Sequence, residues 1–227
     1  MGLGHRIHRG LHGGACDHDG GLMHRPRLYE TTAAIAFGGL RRVVYDNLVE
    51  LSAAAPGERV LDVGCGPGYL SRRAARAVGP AGRVEGIDPS PEAIAYAIRS
   101  APPNATFLVA AAEHLPHADR TFDLVISSFA IHHIAPDERG AALREMRRVL
   151  RPGGRLLIAD FRPPRSRFVS RLVGEAVKHN PVGELASLVT GAGFVITGRG
   201  DRRHRLHYIQ AVPARVSAAD AGRRASP

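Results

Sequence analysis

The stretch Val60-Leu61-Asp62-Val63-Gly64-Cys65-Gly66-Pro67-Gly68 constrains this chain more than any other part of it: an apolar strand runs into a turn carrying three alternate glycines, and a helical pattern follows at once. Glycines at 64, 66 and 68 let the backbone turn tightly and approach a ligand where a Cβ would stand in the way. The helix expected from Tyr69 points its unpaired N–H groups and the positive end of its dipole into the same crevice.

The alternation continues downstream. Strands are expected at 59–63, 83–87, 106–109, 122–127 and 156–159, with helices at 69–78 and 91–99 between them. A further helix begins at Pro136, buries Leu143, Met146 and Leu150, and is stopped by Pro152, Gly153 and Gly154. Ahead of the first strand, Phe37, Leu40, Val44, Leu48 and Leu51 form one apolar stripe of a helix from Thr31, ended by Pro56 and Gly57. Beyond the fifth strand lie an amphipathic insertion at 162–180 with Phe168, Leu172 and Ala176 on one face, a helix at 182–190, and strands at 194–197 and 207–212. Such alternation predicts an α/β fold, with a parallel sheet, helices on both faces, and ligands at the carboxyl ends of the strands.

The length, 227 residues, suits one domain, placed at 29–212 between tails at 1–28 and 213–227. The first tail is rich in Gly, His and Arg and has no hydrophobic period; its His5, His8, His12, His18 and His24 follow no spacing that builds a metal site. Met23 offers an alternative start. Cys16 and Cys65 make neither a disulfide framework nor a zinc site, so no metal is expected. With no apolar run long enough to span a bilayer and no secretory leader, a cytoplasmic location is expected. The net charge of +10 invites a nucleic-acid reading, but residues 1–28 carry +2 and residues 199–227 carry +5, leaving +3 on 29–198. On that division a chain trimmed to 29–198 is expected to keep its chemistry.

Spacing decides which ligand the glycine turn holds. A dinucleotide site takes G-x-G-x-x-G, whereas here the run is G-x-G-x-G, with Tyr69 in the place of the third dinucleotide glycine. No Lys-Ser/Thr follows, which excludes a P-loop, and an acid, Asp62, precedes the loop and would repel pyrophosphate. Asp88 closes the second strand twenty residues after Gly68, where a carboxylate can accept both hydroxyls of a ribose.

Over residues 56–160 the sequence resembles the class I S-adenosylmethionine-dependent methyltransferases, nearest the small-molecule branch of ubiquinone/menaquinone type. Asp62 to Gly68 matches that family's first motif and Asp88 its ribose acid. Residues 111–116 resemble the adenine-side segment, 122–128 the fourth strand, and 148–154 the turn into the fifth. The resemblance implies a Rossmann-like seven-stranded sheet, mostly parallel with an antiparallel last strand, and S-adenosyl-L-methionine as cofactor. It places Asp62 near the methionine amine, and Gly64, Cys65, Gly66 and Gly68 in the loop against the ligand. Asp88 and Pro89 then lie at the ribose, Ala111 and Ala112 beside adenine, and Ser128 beneath the methionine portion. The family often has Asp or Asn where this chain has Ala111, which implies weaker adenine binding. Other readings remain open at this stage: Asp62 or Asp88 as a cap, or a catalytically silent cofactor-binding subunit.

The expected activity is in-line methyl transfer to a small-molecule acceptor through an O, N or C nucleophile. His132 and His133, just after the fourth strand, are candidates for a general base, or else only cover the cofactor while Ile131 and Ile134 pin the loop. Nucleic acid as a specific substrate is disfavoured: Ser127-Ser128-Phe129-Ala130 replaces the Pro-Pro-aromatic run of amino-directed base enzymes, no cysteine stands near the fourth strand, and tryptophan is absent. A protein acceptor is the other alternative. Tyr29 and the 162–180 insertion are candidate cap elements over the acceptor.

Overall fold

The computed structural model describes residues 40–161, 181–202 and 206–215. Residues 1–28 and 216–227 of the expected tails, Tyr29, Phe37 and the 162–180 insertion lie outside the described residues; Pro213, expected in the second tail, instead closes the last strand and pairs with Phe194.

Seven strands form one sheet in the order β3-β2-β1-β4-β5-β7-β6. β1 (Arg59–Val63), β2 (Arg83–Asp88), β3 (Ala105–Val109), β4 (Phe122–Ser128) and β5 (Leu150–Phe161) run parallel. β7 (Leu206–Pro213) is antiparallel to both β5 and β6 (Phe194–Arg202), so the expected architecture is present. The sheet order reverses at β1, and the crevice outside the carboxyl ends of β1 and β4 is where such a sheet takes its ligands.

Period-2 and period-3.6 patterns sort the core into two layers. On one face α1 (Arg41–Ser52), α2 (Tyr69–Val78) and α3 (Pro91–Arg99) set Leu48, Leu70, Ala74, Ile94 and Ala97 against Val60, Leu124 and Leu157. On the other, α4 (Arg139–Val149) and α5 (Leu185–Gly191) set Leu143, Met146, Leu185 and Val189 against Leu61, Val125, Ile158 and Ile209. β1 alternates between the two layers, which is why its buried residues are apolar almost without break.

Four expectations need correction. β5 begins at Leu150, directly after α4: Leu150 pairs with Phe122 and Arg155 with Leu124, the register shift between them taking up the extra residues around Gly153, whose φ is +83°. The Pro-Gly-Gly run is therefore a kink inside a strand and not a separator. α4 starts at Arg139 rather than Pro136, because the N–H groups of Glu138 and Arg139 both turn back to the Ala135 carbonyl. On α1 the buried residues are Arg41, Val44, Tyr45, Leu48 and Ser52; Leu40 precedes the helix and is exposed, and the Tyr45 ring takes the inward place edge-on to Tyr69 at 4.8 Å. Finally, a cut at 198 would run through β6 and remove β7, which lies beside β5, so the basic end is partly sheet.

Candidate active site

The glycine loop leaves β1 and folds back onto β2: Gly64 and Cys65 both donate their N–H to the Ile87 carbonyl at 2.9 Å. Gly64, at φ +73°, is required by its neighbour, since a Cβ there would collide with the Ala130 methyl group. Gly66, at φ +51°, is different, because a Cβ on it would project into open space within the crevice. Gly68 caps α2 in the left-handed conformation and lies under the Phe107 ring. Cys65 is buried, and that burial pushes its thiol well above the ordinary range, so it stays protonated and inert.

Asp62 is fully buried at the end of β1. Its Oδ2 accepts the Ser71 hydroxyl from the first turns of α2 at 2.5 Å, while Oδ1 is sealed from solvent without a hydrogen-bond partner. Desolvation by burial pushes this carboxyl up to about 7, with the nearby Asp88 charge adding to the rise and the Ser71 hydrogen bond opposing it. A buried carboxylate oxygen without a partner costs free energy, and a cationic donor placed beside it would recover that cost.

Asp88 is also buried, and burial raises its carboxyl, opposed by the N–H groups of Ser90 and Gly66. Oδ2 accepts the Gly66 N–H at 2.8 Å and Oδ1 the Ser90 N–H at 3.0 Å. The side-chain cap of α3, the alternative left open for Asp88, belongs to Ser90, whose hydroxyl accepts the Ala93 N–H. Each Asp88 oxygen keeps a second lone pair for a hydroxyl donor. Pro89 is exposed at the rim. Ala111 and Ala112 are half-buried in the turn after β3, where the Ala110 N–H donates to the Asp88 carbonyl.

The segment following Ala112 is held from α4 by a residue the sequence did not single out for this task. Arg148 donates to the Leu115 and His117 carbonyls and pairs with Glu145 and Asp119, while Glu145 accepts the Leu115 N–H. Its hydrogen bonds to the Glu145 and Asp119 carboxylates hold the guanidinium still further above its ordinary value, so this clasp is permanently charged.

At the end of β4, Ser127 donates to the Val63 carbonyl at 2.9 Å and ties β4 to β1, whereas the half-buried Ser128 faces Ala159 in register. Phe129 follows at φ +56°, and a 3₁₀ turn over Ile131–His133 carries the histidines. Ile131 is buried and Ile134 packs on the same core, so the turn is anchored as expected. The two histidines are not equivalent: His133 is exposed, but the Nδ1 of His132 lies 2.9 Å from both oxygens of Asp160, a fully buried residue near the end of β5. Asp160 is a site residue that sequence reasoning missed. It follows an apolar strand just as Asp62 and Asp88 do, and that recurrence was the available signal.

Tyr69, Tyr45 and Phe129 form an aromatic wall from α2, α1 and the end of β4, with the Arg41 and Arg73 guanidiniums over the Tyr69 ring at 3.9 and 4.1 Å. Among the described residues no group of three ligating side chains is placed to hold a metal, and no helix is long and apolar enough to cross a membrane.

Residues 60–154 match the methyltransferase domain family. The ubiquinone/menaquinone biosynthesis C-methyltransferase UbiE of Ectopseudomonas mendocina (strain ymp) is 36% identical over 149 residues, 63% of this chain and 57% of that protein, so the chain aligns with little more than half the length of this relative. An S-adenosylmethionine-dependent methyltransferase from Aquifex aeolicus superposes with a TM-score of 0.65 at 22% identity, over 74% of this chain and 88% of that one. CrArsM, an arsenic(III) S-adenosylmethionine methyltransferase from Chlamydomonas reinhardtii, superposes at 0.58 with 28% identity, over 73% and 66%. The site fits the cofactor in those names: Asp62 has an oxygen waiting for a cation, Gly66 leaves room at the loop, and Asp88 keeps lone pairs for hydroxyls. Residues 60–154 thus match a methyltransferase domain, and the seven-stranded fold around them is the one seen in that S-adenosylmethionine-dependent methyltransferase from Aquifex aeolicus.

Proposed function

We propose that this chain transfers a methyl group from S-adenosylmethionine to a small-molecule acceptor. The observation that carries the proposal is Asp62 Oδ1, a buried and unpartnered carboxylate oxygen beside a glycine loop that is itself tied to Asp88. In this reading Asp62 takes the methionine ammonium, and Gly64, Cys65, Gly66 and Gly68 shape the loop that the ligand lies against. Asp88 accepts the ribose hydroxyls with Pro89 at its edge, Ala111 and Ala112 flank adenine, and Ser128 floors the methionine portion. When bound, the cofactor supplies a methyl group already activated by a sulfonium, so alignment does most of the work, up to roughly 7–11 kcal/mol in favourable intramolecular analogues. The aromatic wall of Tyr45, Tyr69 and Phe129 keeps water from the methyl and suits a partly apolar acceptor.

The curated relative's name makes a quinone-type ring the first acceptor to try. Calorimetry with S-adenosylhomocysteine tests the cradle, and radiolabelled methyl transfer into a small-molecule extract tests the activity. Absence of binding removes the methyltransferase reading, and label appearing in RNA, DNA or protein instead removes the small-molecule acceptor.

A further inference from the structure

We infer that His132, oriented by Asp160, takes the acceptor's proton during methyl transfer, and that the acceptor is therefore one whose attacking atom carries an ionisable hydrogen, such as a phenol or an acidic ring carbon. The inference rests on the methyl-transfer reading above and gives it a substrate class.

Asp160 presents both oxygens to one ring nitrogen at 2.9 Å. An ionised carboxylate only accepts, so Nδ1 carries the hydrogen, and in the neutral ring the Nε2 lone pair is left as the base. Among the described residues Nε2 meets no hydrogen-bond partner, and it is not one of the side-chain atoms sealed from solvent, although the ring as a whole is largely covered. The placement is fixed from three sides. Ile131 plugs the core below, and Arg139 at the start of α4 donates to the Ile134 carbonyl at 3.0 Å and to the His132 carbonyl at 3.5 Å. Ala130, one residue before the turn, touches the glycine loop at Gly64, so the imidazole stands beside the cofactor loop at the carboxyl ends of β4 and β5. The charged and titratable groups around the ring are Asp160 from β5, His133 from its own turn, and Arg139 from α4 with Glu184 near it. His133, exposed and tilted against His132 with ring centroids 4.0 Å apart, is a neighbour and not the base.

The step balances. The acceptor's electron pair forms the bond to the methyl carbon, the carbon–sulfur bond breaks with its pair left on sulfur, and the acceptor's proton moves to Nε2. The resulting imidazolium is paired with Asp160 until the proton passes to solvent. A nucleophile with a bare lone pair would have no use for such a buried, oriented base.

The first test is the tautomer, read by long-range ¹H–¹⁵N NMR of the full chain labelled at histidine, with and without S-adenosylhomocysteine, between pH 5 and 9. We expect the neutral His132 ring to hold its hydrogen on Nδ1 and leave Nε2 bare; Asp160→Asn should scramble that preference and Asp160→Glu should restore it. A hydrogen on Nε2 in the wild type, or a ring protonated throughout, overturns the inference. The second test is single-turnover methyl transfer into a protein-free small-molecule extract. His132→Gln should lose roughly 10²–10⁴ in rate, together with the acid limb of the pH profile, while S-adenosylhomocysteine affinity stays within about twofold. His133→Gln should keep the limb. A His132→Gln variant that retains both rate and limb overturns the inference. Failure to bind S-adenosylhomocysteine overturns the methyltransferase reading instead and leaves the tautomer result standing alone.

Discussion

The backbone N–H of Gly66 donates to Asp88 Oδ2 at 2.8 Å, so the glycine loop and the end of β2 form one rigid unit. Asp88→Ala strands two buried donors, Gly66 N–H and Ser90 N–H, each costing about 1–3 kcal/mol when left unpaired. The variant is expected to lose stability to denaturant as well as affinity for S-adenosylhomocysteine. Asp88→Asn, which keeps one acceptor oxygen, should recover part of the stability but not the affinity. Unchanged affinity in a folded Asp88→Ala protein would make this carboxylate a purely structural tie.

The glycines should separate stability from binding. Gly64→Ala drives a methyl group into Ala130 at a left-handed φ, on top of the roughly 1–2 kcal/mol that conformation costs any L-residue, so its melting temperature should fall well below wild type. Gly66→Ala meets no atom within 4 Å and should lose only about that backbone cost. Its affinity for S-adenosylhomocysteine should nevertheless drop more than the stability does. Equal losses in both variants would remove Gly66 from the cradle.

Asp62 gives the protein a pH signature. Its carboxyl is raised to about 7 in the folded state against 3.8 for the unperturbed group, so between these values the native chain holds a proton that the unfolded chain has released. Stability contributed by this group is therefore highest below pH 4, falls as pH rises towards 7, and is flat above, the whole change being on the order of a few kcal/mol. Asp62→Asn should flatten that slope in denaturant titrations. An ammonium beside the carboxylate favours its ionised form, so S-adenosylhomocysteine should bind more tightly at pH 8 than at pH 6, and this difference should vanish in Asp62→Asn.

Arg148→Ala should loosen the segment after Ala112. It removes donors to the Leu115 and His117 carbonyls and leaves Glu145 without its guanidinium, a loss of about 1–2 kcal/mol given the partial exposure of the pair. Hydrogen exchange at Leu115 should rise before exchange in β1 does, and adenosine-containing ligands should weaken. Unchanged exchange at Leu115 would show that the segment holds itself.

Local chemistry wrote some of this molecule into its sequence. The strand–loop–helix unit from Arg59 to Val78 was readable because an apolar run, three glycines and a helical period fall within twenty residues and each has one interpretation. What could not be read was set by pairing across the sheet. Asp160 meets His132 only because β4 and β5 lie side by side, and Ala130 closes on Gly64 only because β4 lies beside β1. The Pro152-Gly153-Gly154 run looked like a stop until the Phe122–Leu150 pairing turned it into a bulge. The apolar period points to Leu40, whereas Tyr45 turns inward against Tyr69, a residue two elements away. Arg148 lies in the run 148–154 that marks the turn into β5, but its hold on Leu115 and His117 spans more than thirty residues.

β7 pairs Tyr208 with Ala159 and His207 with Asp160, so the strand bearing the oriented carboxylate is flanked on its far side by the last strand of the sheet in chain order. A nascent chain emerges from its N-terminus onward. The loop residues 60–128, with the Arg148 clasp behind them, are therefore made before the wall that β7 gives Asp160.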